Sequence, residues 1–186
     1  MNTTIDPSKL IILDRDGVIN QDSDEYVKNV DEWIPIPGSI EAIAELCRNG
    51  YTICIATNQS GLSRGYFTET TLKQMHKKLT DLVEEQGGEV HSIYFCPHGP
   101  DDNCDCRKPL PGMFKQIALQ FSLKDLRNVR TVGDSLRDLQ AGKALGCDTF
   151  LVETGKGQRT LNSGKALPDN TKVFKDLREF ADSLIH

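Results

Sequence analysis

Short apolar runs alternate with longer amphipathic segments along this chain, and that alternation restricts the fold more than any other feature. The runs at 9–14, 52–57, 92–96, 129–132 and 149–152 are brief, β-rich and bounded by polar residues, so each reads as a strand, the first two as buried ones. Helical periodicity fills the gaps between them. Ser39 is placed to cap a helix through about Arg48 with Gly50 past its end, and Thr68 to cap a longer helix ending at Gly87-Gly88. Leu72, Met75, Leu79, Leu82 and Val83 give the longer helix one apolar stripe, which reads as core. Helices are also expected over 113–121, 136–145 and 176–185, and loop over 154–170. Strand, helix, strand, repeated in this way, predicts an α/β fold: a Rossmann-like parallel sheet with helices on both faces. The 186 residues suit a single domain, 1–186, with no dividing linker.

The formal net charge of −5 disfavours nucleic acid and anionic membrane as partners, since both require a basic face. Apolar runs of four or five residues, such as Leu10-Ile11-Ile12-Leu13, fall far short of a membrane span. The polar stretch at 1–9 has no apolar core of a secretory signal, so the expected location is cytoplasmic. No exposed apolar seam is evident, and a monomer is expected. Cys47, Cys54 and Cys147 stand among apolar neighbours and read as small buried hydrophobes, while His76 and His91 read as solvated.

Ligands of open α/β sheets bind at the carboxyl ends of the strands. The first strand here runs into Asp14-Arg15-Asp16-Gly17, the second into Thr57-Asn58-Gln59-Ser60-Gly61, and the fourth into Gly133-Asp134-Ser135. Arg107-Lys108-Pro109 precedes the helix between the third and fourth strands. Carboxylates gathered on one sheet edge repel unless a cation neutralises them, and an all-oxygen set suits Mg²⁺. Mg²⁺ beside Arg107 and Lys108 would trap a phosphate dianion. Of Asp14 and Asp16, one carboxylate can attack phosphorus while the other protonates the leaving oxygen and later activates water. A threonine hydroxyl and a lysine ammonium would hold the charge that develops.

These segments, Asp14-x-Asp16-Gly17-Val18, Thr57-Asn58, Lys108-Pro109 and Gly133-Asp134-Ser135-x-x-Asp138, resemble in order the four motifs of the haloacid dehalogenase (HAD) superfamily of phosphatases over about residues 9–155. The resemblance implies that Asp14 is the nucleophile and Asp16 the general acid and base. Thr57 and Lys108 would steady the phosphoryl group. Mg²⁺ would be held by Asp14, Asp134 and the backbone carbonyl of Asp16, with Asp138 behind them orienting Lys108. It also implies that the first strand lies between the second and the fourth, while the few residues left outside these elements leave no room for a large cap domain.

A second cluster follows the third strand. Cys96-Pro-His98, five residues, then Cys104-Asp-Cys106 offers three thiolates and an imidazole, a closed tetrahedral set for a structural Zn²⁺. Such a zinc loop at 96–106 would shape the presentation of Arg107 and Lys108. It is similar to the loop of the superfamily branch that holds the heptose-bisphosphate and histidinol-phosphate phosphatases. The segment from Thr57 to Phe67 and the run Lys108-Pro-Leu-Pro-Gly-Met113 resemble the heptose enzymes, although Ser135 stands where some of those carry lysine. That narrower resemblance implies a small-molecule sugar bisphosphate as substrate and a place in making lipopolysaccharide precursors. Asp22, Asp24, Glu25 and Tyr26, together with Thr57, Asn58, Gln59, Ser60, Arg107 and Lys108, would line its pocket. Histidinol phosphate is the alternative substrate. A phospho-accepting signalling receiver is the alternative of another kind, but receivers place the acidic pair and the acceptor on different strands.

Overall fold

A computed structural model describes residues 4–186. Its six strands are β1 (Leu10–Leu13), β2 (Thr52–Asn58), β3 (Ser92–Cys96), β4 (Arg130–Gly133), β5 (Asp148–Val152) and β6 (Lys172–Phe174). They form one sheet in the order β3-β2-β1-β4-β5-β6, and every pairing is parallel. The helices are α1 (Ser39–Arg48), α2 (Glu69–Glu85), α3 (Gly112–Gln120), α4 (Leu136–Lys143), α5 (Gly157–Leu161) and α6 (Leu177–Ile185).

Side chains alternate across a strand, so the all-apolar β1 feeds two cores at once. Ile11 and Leu13 pack with residues of α1, α2 and α6, among them Ile43, Leu46, Leu72, Leu79 and Phe180. Leu10 and Ile12 pack on the opposite face with Phe114 and Ile117 of α3 and Ala141 of α4. All four β1 residues are fully buried. Helices therefore cover both faces, as the sequence pattern requires, and the expected position of β1 between β2 and β4 is found.

Three local expectations are corrected. Ser39 does not cap α1. Gly38 takes that place at φ 84°, and the Ser39 hydroxyl donates to the carbonyls of Ile19 (2.6 Å) and Ile36 (2.8 Å), tying the long β1–α1 loop to the helix. The stretch 154–170 is not all loop, because it contains α5. A sixth strand, β6, then follows that stretch. Neither element carries a periodic signal: β6 has three residues on the sheet edge, two of them exposed, and α5 has only five. Cys47 is half-buried rather than buried, with its thiol against the Glu89 carbonyl. The caps expected at Thr68 and Asp176 are present, accepting from the N–H groups of Thr71 and Glu179.

No cap domain occurs among the described residues; turns and isolated bridges fill the connection from β1 to α1, and turns the one from β2 to α2. The strand ends are thus roofed by loops alone.

Phe180 anchors α6 by edge-on contacts to Phe150 (5.0 Å between ring centres) and Phe174 (5.7 Å). Phe180→Ala should cost about 3–5 kcal/mol in urea unfolding, and a loss below about 1 kcal/mol would show that α6 is not part of the cooperative core.

Candidate active site

The sheet order sets the carboxyl ends of β2, β1 and β4 side by side, and the polar residues that follow them converge. Asp14 leaves β1 with its N–H donating to Val132 of β4 (3.0 Å). Lys108 enters from the loop before α3, nearly fully buried, and its Nζ donates to Asp14 Oδ1 (3.0 Å) and the Ala56 carbonyl (2.8 Å) and pairs with Asp138 Oδ1 (2.7 Å). Asn58 clamps the backbone of Lys108 from both sides: Nδ2 donates to its carbonyl (3.1 Å) and Oδ1 accepts from its N–H (3.0 Å). Asp138 also accepts from the N–H and hydroxyl of Ser135, so its carboxylate is committed to α4 and Lys108. Asp134 accepts the Lys156 N–H at Oδ2 (2.8 Å).

Backbone must come very close to Asp134 for this to fit. Gly17 sits at φ 85°, and a Cβ on it would lie 2.0 Å from Asp134 Oδ2. Gly155 on the opposing loop, at φ 56°, would meet the same oxygen at 2.4 Å. The Thr154 hydroxyl closes the seam by donating to the Gly17 carbonyl (2.7 Å).

Oxygen ligands of Asp14, Asp134 and Asp138 lie within 4.8 Å of one another. Burial, then the Asp138 charge, pushes the Asp14 carboxyl up to about 7 against the pull of Lys108. Burial and the charges of Asp138 and Asp14 drive Asp134 well above the ordinary range. Lys108 by itself does not neutralise the group. One oxygen on each of Asp14 and Asp134 makes no hydrogen bond among the described residues, and neither does the Asp16 carbonyl. Buried, negative and oxygen-only, this donor set fits a hard divalent cation such as Mg²⁺.

Asp16 is held differently. Its Oδ1 accepts from Arg15 Nη2 (2.8 Å) and Nε (3.1 Å) and from Asn20 Nδ2 (2.8 Å), and its Oδ2 from Gln59 Nε2 (3.0 Å). Burial works to raise its pKa, but Arg15 and these hydrogen bonds outweigh it and hold the carboxyl below its usual value. Thr57 Oγ1 accepts from the same Gln59 amide (2.9 Å) and is 1% exposed.

Asp14, Asp16 and Asp134 border a cavity of about 170 Å³. Of the residues expected to meet substrate, Asp22, Asp24, Tyr26, Asn58, Gln59, Ser60, Arg107 and Lys108 line it. Thr57 and Glu25 do not: Thr57 lies beneath the floor, and Glu25 is exposed outside the cavity in a neighbouring hollow. Arg137 and Lys156 line the cavity and were missed. Both follow strand ends, β4 and β5, and that position was the available signal.

The cysteine loop is partly assembled. The Sγ atoms of Cys96, Cys104 and Cys106 lie within 4.8 Å of one another, whereas the His98 ring is not part of that group. Here the Gly99 N–H donates to Asp102 Oδ2 (2.6 Å), and the His98 carbonyl accepts from Arg107 Nη1 (3.2 Å). Arg107 is thereby tied to the loop. The expectation for His76 is also corrected, since it is buried with Nε2 3.2 Å from Arg15 Nη1.

An acidic strand-end cluster opposed by a buried lysine, on this sheet order, defines a HAD-type hydrolase. The profile of the HAD-hydrolase-like family matches residues 105–180. The chain is 57% identical over 176 residues to D-glycero-beta-D-manno-heptose-1,7-bisphosphate 7-phosphatase of Pseudomonas aeruginosa, covering 95% of this chain and 97% of that protein. It is similar to the crystal structure of D,D-heptose 1,7-bisphosphate phosphatase from Bordetella bronchiseptica complexed with magnesium and phosphate, with a TM-score of 0.92 and 54% identity over 95% of this chain and 98% of that one. The Burkholderia thailandensis enzyme of the same name matches at a TM-score of 0.75 and 44% identity, covering 95% of this chain and 98% of that one. The chain belongs to the HAD-like phosphatases, in the family of these heptose-bisphosphate enzymes.

Buried His76 gives the site a pH-dependent stability. Burial, then the Arg15 charge, lowers its pKa from 6.5 to about 3. Below pH 6.5 the unfolded chain takes up a proton that the native state refuses, so stability falls as the pH drops toward 3. Relative to His76→Gln, the wild type should lose about 1–2 kcal/mol between pH 7 and pH 5 in urea titrations. A constant difference between the two proteins would place His76 in water.

Proposed function

We propose that this protein is a Mg²⁺-dependent phosphomonoester hydrolase that removes the 7-phosphate of D-glycero-β-D-manno-heptose 1,7-bisphosphate. The observation that carries this reading is the buried Asp14–Asp134–Asp138 cluster facing Lys108, in a chain 54% identical over 95% of its length to an enzyme crystallised with magnesium and phosphate.

Asp14, Asp134 and the Asp16 carbonyl would hold the Mg²⁺. The bound ion supplies positive charge, which lets the two carboxylates ionise together and offsets the phosphoryl oxygens. Asp14 attacks phosphorus in line; its oxygen–phosphorus bond forms as the bond to the sugar oxygen breaks. Asp16 gives its proton to the departing alkoxide, then takes one from the water that hydrolyses the aspartyl phosphate. Lys108 orients Asp14 and stands beside the transferred group, while Thr57 acts from beneath by fixing Gln59. Arg107, with Arg137 and Lys156, places cations where the phosphate left on the sugar would sit. Asp22 is placed to accept sugar hydroxyls. Asp24 already pairs with Arg159 and shapes the rim.

A structural Zn²⁺ on Cys96, Cys104 and Cys106, with His98 as fourth ligand, is part of the same reading. The three sulfurs are gathered for it. Ordering of the His98 ring on metal binding would complete the set and stiffen the Arg107–Lys108 segment.

Phosphate release with Mg²⁺ should favour heptose 1,7-bisphosphate over histidinol phosphate in kcat/KM, and the β anomer over the α. Preference for histidinol phosphate would overturn the substrate while keeping the chemistry. Asp14→Asn should lower turnover by roughly three orders of magnitude or more with the fold intact; a rate near wild type would remove Asp14 as nucleophile. Metal analysis should find one zinc per chain, lost in Cys106→Ser. Zinc retained in that variant would refute the thiolate set.

A further inference from the structure

Arg15 stands between the two reactive aspartates in sequence and points away from the cavity in space. It is fully buried, and a buried guanidinium needs its donors satisfied. Among the described residues only two side chains do so. Asp16 takes Nε and Nη2, and His76 Nε2 takes Nη1 at 3.2 Å. His76 comes from α2, a helix whose Leu72, Met75, Leu79 and Val83 are locked in the core. Its ring lies 6.3 Å from that of Phe95. The acceptor is therefore fixed by a helix whose apolar face is buried in the core.

The tautomer follows from the partner. Guanidinium only donates, so Nε2 must be the unprotonated nitrogen. A protonated ring would set two cations face to face in a buried place.

We propose that His76 is a positioning residue: as a neutral buried acceptor it fixes the plane of the Arg15 guanidinium, and through it holds the Asp16 carboxyl in line with the leaving oxygen. Nε and Nη2 meet Asp16 Oδ1 while His76 holds Nη1, so contacts on three nitrogens of one planar group fix its orientation. Removal of that partner leaves a buried N–H free to turn the fork, and Asp16 then keeps only Asn20 and Gln59. This inference rests on the phosphatase reading and adds a residue that does not touch substrate.

The step affected is protonation of the leaving group. The proton passes from Asp16 to the substrate oxygen as the bond from that oxygen to phosphorus breaks and the Asp14–phosphorus bond forms. An alkoxide requires that proton, whereas a nitrophenolate leaves without it. The value of kcat/KM reports events up to the first irreversible bond cleavage, so the two leaving groups separate positioning from general damage.

The test compares wild type with His76→Leu, His76→Met and His76→Gln on heptose 1,7-bisphosphate and on p-nitrophenyl phosphate. β-Glycerophosphate serves as the alkyl phosphate if the sugar is refused. The apolar variants should lose about tenfold to a hundredfold in kcat/KM on the alkyl phosphate and under about threefold on the aryl phosphate. His76→Gln, which restores an acceptor, should recover most of that loss. Arg15→Lys keeps the charge but cannot bridge both partners, and should show the same alkyl-selective loss even if neither apolar variant folds. Equal losses on both substrates, or a glutamine no better than leucine, would overturn the proposal. A wild type inactive on heptose 1,7-bisphosphate but active on β-glycerophosphate would sink the substrate reading alone. One inactive on all three would sink the phosphatase reading and this inference with it.

Discussion

A single ammonium group organises the site. Lys108 Nζ meets Asp14, Asp138 and the Ala56 carbonyl, so its three protons serve the ends of β1, β2 and the first turn of α4. Burial alone would depress the pKa of this lysine, but the two aspartates reverse that and hold it above its ordinary value. The converse is that three carboxylates within 4.8 Å share one permanent cation. A buried ion set of this kind is poor as a source of stability. It makes sense as a socket, incomplete until a divalent cation and a phosphate dianion bring their charges to it.

The two aspartates on the first loop, two residues apart, are set against each other by their surroundings. Burial and then like charge raise Asp14 to about 7, while Arg15 and the surrounding donors outweigh burial and lower Asp16. In the resting site Asp16 is therefore the ionised partner, suited to take a proton from water. The donors that hold Asp16 engage both of its carboxylate oxygens, and that carboxylate is not part of the Asp14–Asp134–Asp138 group.

Much of this was legible in the sequence for one reason. Residues such as Asp14, Lys108 and Asp134 occur at fixed offsets from strands whose apolar runs are unmistakable, and a parallel sheet then dictates which ends meet. The same logic failed where the signal is tertiary. Nothing local distinguishes His76 from a solvated histidine on α2, because its burial depends on Arg15 arriving from 61 residues away. Gln59 and Asn58 line the cavity as expected, but their hydrogen bonds to Asp16, Thr57 and Lys108 are tertiary and were not legible. β6 was missed because three residues at a sheet edge have no period to read, and Arg137 and Lys156 because their reach into the cavity depends on side-chain direction.

With loops alone over the strand ends, selectivity has to come from loop shape, and the loop of residues 20–33 shows how shape is fixed. Of its ion pairs, Asp24 with Arg159 at 3.2 Å is open to solvent and contributes little, while Asp22 with Lys156 at 3.6 Å is half-buried and long. Tyr26 does more. It sits at φ 70°, a region that costs an aromatic residue about 1–3 kcal/mol, and its ring packs 5.1 Å from that of Tyr66 on the loop after β2. Arg64 lies 5.8 Å from the same ring. The tilted Tyr26–Tyr66 ring contact works against the backbone strain and joins the loop of residues 20–33 to the loop after β2. The shape of the pocket wall therefore rests on backbone conformation and an aromatic contact more than on its ion pairs.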